Sequence, residues 1–469
     1  VKRIFRDRVL LIGMAFMSLT LFGCSVHSVT YDKKPQIEVP DSFSEQKEKA
    51  KINQNVWWSE FQRPLLDDLI SQSLSGNFEI MQALSRLQQA RAIIPQTRSS
   101  LFPNVDVTGN ADREWEGSEG QRGTAEIGGS LKWEIDIFNR ISNAVRADRL
   151  EAKARLADVE ALKLSLSADV ANAYFGAVAA QGTLSLLNQQ VQTDRELLDL
   201  LSLRFEEGVG TNVEVLQQES RVADSESLIP TAKADVRVFE NRLDVLLGMV
   251  PDAQNRISNT ETLDFTRTLP ATGVPADLLI NRPDLKSALA ELVAADADIG
   301  VAIADRLPRI MLDGSYLFSD TASFTGPISS IMGSFVQPLL DWGSRKAEVE
   351  RNKEIYKERL AAFTQQYLEA VEDVENTLYQ ENQQRDFIRR LEDRKTILQH
   401  TVDETEARYT QGIDDYLPVL NALQELRQVE RDLIRERLNL VNFRIALHLA
   451  IGGTITPKDN PIQNQGETE

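Results

Sequence analysis

The chain has 469 residues, 52 Lys and Arg against 71 Asp and Glu, a formal net charge of −19 and one cysteine. That balance argues against nucleic acid or anionic lipid as the main partner, because both are met by basic patches, and it suits a water-filled acidic surface. A lone cysteine excludes an internal disulfide, so stability must come from packing.

The first residues are basic, with Lys2, Arg3, Arg6 and Arg8, and Val9 to Phe22 is apolar. This run is too short to span a membrane as a helix and suits a signal peptide over 1–23. The cysteine closes it, in Leu21-Phe22-Gly23-Cys24-Ser25. The pattern resembles a bacterial lipobox, which makes Cys24 the expected lipidated first residue of the mature chain. Residues 24–55 read as a lipidated, extended arm, with Pro35, Pro40 and a charged run from Glu45 to Lys51. The aromatics of Val56-Trp57-Trp58-Ser59-Glu60-Phe61 are expected to dock that arm on the body.

A short amphipathic helix is predicted from Leu65 to Leu74, stopped by Gly76-Asn77, and a longer one from Phe78 to Leu101, with a kink at Pro95. Over 103–137 the period changes to two, around a turn from Glu114 to Gly123, which predicts a β-hairpin. Then Trp133-Glu134-Ile135-Asp136-Ile137-Phe138-Asn139-Arg140 opens a run without proline, and its only interior glycines are Gly176 and Gly182. Leu150, Ala157, Leu164, Ala171 and Val178 recur every seven residues, the seam of a supercoiled helix. A helix over 138–205 would be about 100 Å long, too long for a globular core. The tip at 205–212 carries Gly208, suited to the left-handed turn that ends a helix. A returning helix comes next, with a heptad of Val215, Val222, Ile229, Val236 and Leu243 and a kink expected at Pro230. Leu263 to Val274 reads as a linker.

Beyond that linker the same construction returns. Leu339-Leu340-Asp341-Trp342-Gly343-Ser344-Arg345 sets Asp341 opposite Asp136 and Arg345 opposite Arg140, an offset of 205 residues. Leu307-Pro308 answers Phe102-Pro103, and Gly412 answers Gly208. The chain is therefore read as an internal duplication, 56–273 and 274–453, before a disordered tail over 454–469. The second repeat predicts strands over about 308–340, with a loop through Gly326-Pro327 and a strand from Ile328 to Leu340. A long helix over 342–409, a tip at 409–416 and a returning heptad of Val419, Leu426, Leu433, Leu440 and Leu447 complete it. Strands of about ten residues can cross a bilayer when tilted. Four strands cannot close a barrel, and open edges cannot sit in lipid, whereas three chains would supply twelve. The expected fold is mainly α with membrane β: a long coiled α-helical barrel plus four strands per chain in a shared 12-stranded barrel of a homotrimer.

No catalytic constellation, cofactor site or metal site is legible, and the chain is not expected to be an enzyme. His27, His400 and His448 are far apart and not at ligand spacing, and there is no phosphate loop or dinucleotide fingerprint. Asp414-Asp415 and Glu206-Glu207 sit at helix tips as solvated charges or docking contacts. Glu372, Asp373 and Glu375 read as a solvated or lumen-facing side of a long helix.

Taken together, these marks resemble the TolC-like outer-membrane efflux proteins, in the lipoprotein branch that serves resistance-nodulation-division pumps. They are Trp57-Trp58 with Phe61, Leu101-Phe102-Pro103, Trp133-Glu134-Ile135-Asp136 with Arg140, Arg282-Pro283-Asp284, Pro338 with Asp341 and Gly343, Arg204-Phe205 with Gly208, and Arg408-Tyr409 with Gly412. They cover about residues 56 to 453. The resemblance implies a homotrimeric outer-membrane duct, lipid-anchored and extending into the periplasm. It would carry drugs or small solutes driven by an inner-membrane pump through a periplasmic adaptor. It implies adaptor docking at the tips, Gly208, Val209, Gly210, Gly412 and Ile413. It also implies a gate just past the second tip, with Leu417 in the apolar ring. Asn421 departs from the aspartate of the second ring, leaving Asp414 and Asp415 as nearby charge. Asn139 stands where relatives commonly have glycine, and it suits a left-handed conformation. Two alternatives stay open: a duct for type I protein secretion, and a periplasmic coiled-coil scaffold without a pore. The lipobox and Trp57-Trp58 favour the pump branch, and the strand hairpins disfavour a scaffold. The cargo is not legible.

Overall fold

The computed structural model describes residues 26–30, 34–44, 56–115, 121–258, 261–265, 269–321 and 324–455. Cys24, the expected signal peptide over 1–23, much of the arm and all but two residues of the expected tail lie outside them. In the first half run α1 (Pro64–Gly76), α2 (Phe78–Ser99), β1 (Asn104–Trp115), β2 (Gln121–Ile135), α3 (Arg140–Glu206) and α4 (Asn212–Leu246). The second half has a single helical turn, Leu278–Asn281, then α5 (Pro283–Ala304), β3 (Arg309–Thr321), β4 (Phe324–Val336), α6 (Ser344–Thr410) and α7 (Leu417–Ala450). The duplication is carried into length: α2 and α5 have 22 residues each, α3 and α6 have 67 each. α1, by contrast, is reduced to the single turn of the second half.

The repeated aspartates explain where the long helices begin. Asp136 accepts from the backbone N–H of Ile141 at 3.0 Å and of Ser142 at 2.7 Å. Asp341 accepts from Gly343 N–H at 3.0 Å and Arg345 N–H at 3.3 Å. Each carboxylate satisfies N–H groups that a helix start leaves without a partner, and its charge suits the helix dipole. The turns before the helices differ. The first passes through Asn139 at φ 58°, the left-handed conformation expected of it, whereas the second passes through Trp342 at φ 54° and Gly343 at φ 90°.

The hairpins correct three expectations. Strands run 12 to 15 residues rather than about ten. β3 runs to Thr321 and β4 starts at Phe324, so Gly326 and Pro327 lie inside β4, paired with Ser319 and Phe318. β4 also ends at Val336, short of Leu340. A proline is tolerated there because β4 is an outer strand of this sheet and its missing N–H can face away from β3. Pro95 and Pro230 lie within continuous helices, so neither ends its element.

The chain divides into two compact units. The first holds residues 1–38, 83–159 and 284–367, and so the whole sheet. Its strands are antiparallel in the order β1-β2-β3-β4. A small core of Leu150, Val293 and Ala294, with Val29 and Leu289 against it, joins α3 to α5. Ser287 donates to Asp158 at 2.6 Å across the same pair of helices.

The second unit holds residues 39–82, 160–283 and 368–469. Its main core gathers Trp57, Trp58 and Phe61 with Leu66 and Ile70 of α1, Tyr174, Phe175 and Val178 of α3, Leu243 of α4 and Ile445 of α7. The aromatics expected to dock the arm are thus core residues, and the Trp57 indole donates to Ser167 Oγ at 3.0 Å. Beside them Arg444 is fully buried, paired with both Glu381 and Glu60, and His448 Nε2 is 2.7 Å from Glu60. A second cluster, nearer the tips, packs Leu201 of α3 with Ile388 and Tyr409 of α6 and Val419, Leu426 and Leu433 of α7. All five heptad residues of α3 that open the seam, Leu150 through Val178, are buried.

Candidate functional site

The sheet has two unlike faces. Residues in register share a face, so Val105, Leu131 and Ile331 stand in one row, and Val107 and Tyr316 in the next. Ile127 with Phe318, and Ile310 with Phe335, extend that face. It is largely apolar, broken by Ser329 in the Tyr316 row, yet open, with Ile331 84% exposed. On the opposite face Asp106, Ser130, Ser315 and Ser330 form a row, and Ser319 donates to Glu126 at 3.0 Å. An apolar face of this size left open in water would be strongly unfavourable, at about 25 cal/mol per Å². A polar row backing a largely apolar face, on strands long enough to cross hydrocarbon at a tilt, is the arrangement of a membrane barrel wall around water. Within one chain β1 and β4 each keep an unpaired edge.

The tips lie in the second unit and are near copies of each other. In the first, Gly208 takes φ 73°, and Val209 and Gly210 donate to the Arg204 carbonyl at 2.9 and 3.0 Å. In the second, Gly412 takes φ 71° and Ile413 donates to the Arg408 carbonyl at 2.9 Å. These bonds close the last carbonyls of α3 and α6 around a left-handed glycine. The next helices start differently. Thr211 and Glu214 form a reciprocal capping box on α4, whereas α7 opens on Leu417-Pro418 with no side-chain cap. Val209 and Ile413 are exposed at the turns, and the Arg204 guanidinium lies over the Tyr409 ring at 4.7 Å.

The expected gate residues separate into two kinds. Leu417 is 53% exposed and Asn421, one turn further along α7, is exposed as well, so neither belongs to the core of its own helix pair. Asp415 is exposed. Asp414 is engaged: Arg408 holds it with two hydrogen bonds, and that contact keeps its carboxyl below the usual carboxylate range. It clips the second tip shut on itself and is not a free solvated charge. Likewise Asp373 pairs with Arg282 at 3.0 Å, and Glu375 accepts from the Ser44 backbone N–H at 2.7 Å. The expected solvated side of α6 is therefore partly a docking face.

Just behind the tips is a polar lock that the sequence alone did not reveal. Asp194 of α3 is buried and pairs with Arg427 of α7, also buried. Ser225 Oγ of α4 donates to Asp194 at 2.7 Å, and Gln218 donates to the Asp194 carbonyl at 2.8 Å. Tyr416 completes it by donating its hydroxyl to Gln218 Oε1 at 2.7 Å. Burial, then the Asp194 charge, raises the Tyr416 phenol well above its ordinary range, so it stays a donor. One signal was legible: Gln218 and Ser225 lie three residues after Val215 and Val222, where the heptad asks for apolar side chains.

Among the described residues no group of three or more His, Cys, Asp or Glu could hold a metal ion, and no helix is long and apolar enough to cross a membrane. Comparison with known proteins gives a consistent picture. The family model described as outer membrane efflux protein matches residues 69–249 and 274–453, one match in each half. Nodulation protein T of Rhizobium leguminosarum bv. trifolii is 27% identical over 94% of this chain and 97% of its own length. The pyoverdine export outer membrane protein OpmQ of Pseudomonas putida is 27% identical over 85% of this chain and 87% of its own. Among solved structures, the outer-membrane channel OprN superposes with a TM-score of 0.84 at 26% identity, covering 92% of this chain and 99% of that one.

Proposed function

The chain belongs to the outer membrane efflux protein family and is an outer-membrane efflux channel; from that premise we propose that three copies build one duct, lipid-anchored at Cys24, gated past the second tip. The observation that carries this reading is the four-stranded sheet, largely apolar on one face, with a polar row of Asp106, Ser130, Ser315 and Ser330 on the other, and open at both edges. Pairing β4 of one copy with β1 of the next closes twelve strands and removes every edge from lipid. Leu339, Leu340 and Trp342, the last 91% exposed, come after β4 and gain cover from a neighbouring copy. The half-exposed Val215, Val222 and Ile229 of the α4 heptad do the same for the helices.

In such a duct Leu417 and Asn421 meet their symmetry mates around the axis. Three leucines make a dewetted constriction, and three asparagines a neutral polar ring above it. The exposed turns at Gly208, Val209, Gly210, Gly412 and Ile413 are then the surface offered to a periplasmic adaptor, which links the duct to an inner-membrane pump. The named relatives differ in role, so the cargo of this chain is left open. Single-channel recording in planar bilayers tests the gate. Leu417→Ser should raise conductance or open probability, and Asn421→Asp should increase cation selectivity and block by divalent ions. A normally assembled Leu417→Ser channel that conducts no better than wild type would place the constriction elsewhere, with Asp415 the next candidate.

A further inference from the structure

In this acidic chain one cavity of the first unit is lined by cations. It has a volume of about 620 Å³, and its walls include His27, Ser142, Asn143, Arg146, Arg149 and Lys153. No Asp or Glu lines it. Arg146, Arg149 and Lys153 are three and four residues apart on α3 and so share one side of it. Arg149 and Lys153 are exposed and have no ion-pair or hydrogen-bond partner among the described residues. Of the neighbouring acids, Glu151 is paired with Arg155.

The remaining wall is built, not incidental. His27 is held at 2.8 Å by the buried Asp296 of α5. Asn143 is buried, and it fits because α5 presents Gly300, where an added Cβ would stand 2.6 Å from Asn143 Nδ2 and 3.3 Å from His27. Convergent cations, a serine hydroxyl and an amide, with no carboxylate, are the donor set for a phosphate group. The cavity is many times larger than one water's share of about 30 Å³, so it admits more than a bare anion.

Two bearings place it at a membrane surface. His27 is three residues from Cys24, and three residues reach at most about 11 Å. Arg146 lies six residues into α3, about 9 Å of helix from its start, and that start comes five residues after β2. We propose that this cavity binds the phosphate of an anionic phospholipid in the leaflet that the strands and the anchor enter. The inference rests on the membrane reading of the sheet, and its first bearing on acylation of Cys24. It is a local exception to the net charge, and it would fix the depth and rotation of the chain in the leaflet.

The test uses the intact protein, delipidated in a neutral detergent, with native mass spectrometry as readout. Phosphatidylglycerol, phosphatidylethanolamine and inorganic phosphate are offered separately. Wild type should retain phosphatidylglycerol about twenty-five-fold better than phosphatidylethanolamine, since Arg149 and Lys153 each contribute about a factor of five toward an anionic lipid. The exposed pair Arg149→Gln/Lys153→Gln should lose that preference while keeping the wild-type assembly mass. Equal preference in wild type and variant would overturn the proposal. So would displacement of the lipid by millimolar phosphate, which marks a free-anion site, or dissociation of the variant into single chains, which marks a subunit contact. Fatty-acid labelling of wild type and Cys24→Ser is a separate arm: absence of label defeats the anchor but leaves the lipid comparison intact.

Discussion

Single residues decide how the tips hold. Asp194 and Arg427 are both buried, so removing one partner strands the other's charge, at a cost of about 3–5 kcal/mol. Arg427→Met should therefore lower the Tm by several degrees and raise channel open probability. Adding Asp194→Asn to it should recover much of the stability, because the stranded charge is gone. No recovery would mean that Arg427 acts through packing alone. Glu60 makes a pH prediction. Burial works to raise its carboxyl, but the His448 hydrogen bond and the Arg444 charge outweigh that and hold it below the usual value. With a folded pKa below the unfolded one, this contribution is present above the ordinary carboxylate pKa of about 4.3 and is lost as pH falls through the lowered value. Glu60→Gln should cost stability at pH 7 and flatten the acid limb of a Tm-versus-pH curve. A parallel, merely shifted curve would contradict the assignment.

At the scale of elements, the two interior glycines of α3 have opposite meanings. A Cβ at Gly176 would run into the Phe239 ring, whereas at Gly182 it would meet nothing within 4 Å. Gly182→Ala should raise stability by up to about 1 kcal/mol through helix propensity. Gly176→Ala should lower it by about 1–3 kcal/mol through overpacking, and Phe239→Leu should relieve part of that loss. Thermal unfolding of the three variants checks both signs. The sequence could not separate these glycines, because α3 records its own period but not where α4 presses on it. Period and capping residues were legible: the heptad from Leu150 to Val178, the paired aspartates 136 and 341, and the tip glycines 208 and 412. What was not legible depended on partners distant in sequence. Gly326-Pro327 has turn composition yet sits in a strand, because an outer strand tolerates a missing N–H. Asp414 looked solvated because its partner Arg408 lies across the turn.

For the molecule as a whole, the duplicated halves each bring a hairpin and a pair of long helices, yet the sheet keeps two unpaired edges within one chain and the α4 heptad three half-exposed positions. The count of strands in the sequence anticipated those open edges, since four strands cannot close and open edges cannot lie in lipid. The lock around Asp194 and the cationic cavity at His27 were not anticipated, as each is assembled from segments tens to hundreds of residues apart. The central claim is that several chains share one pore, and the mass of the detergent-solubilised particle tests it most directly. Light scattering corrected for bound detergent should give three times the mass of one mature chain. A stable particle of one chain that retains its full strand content would contradict the account.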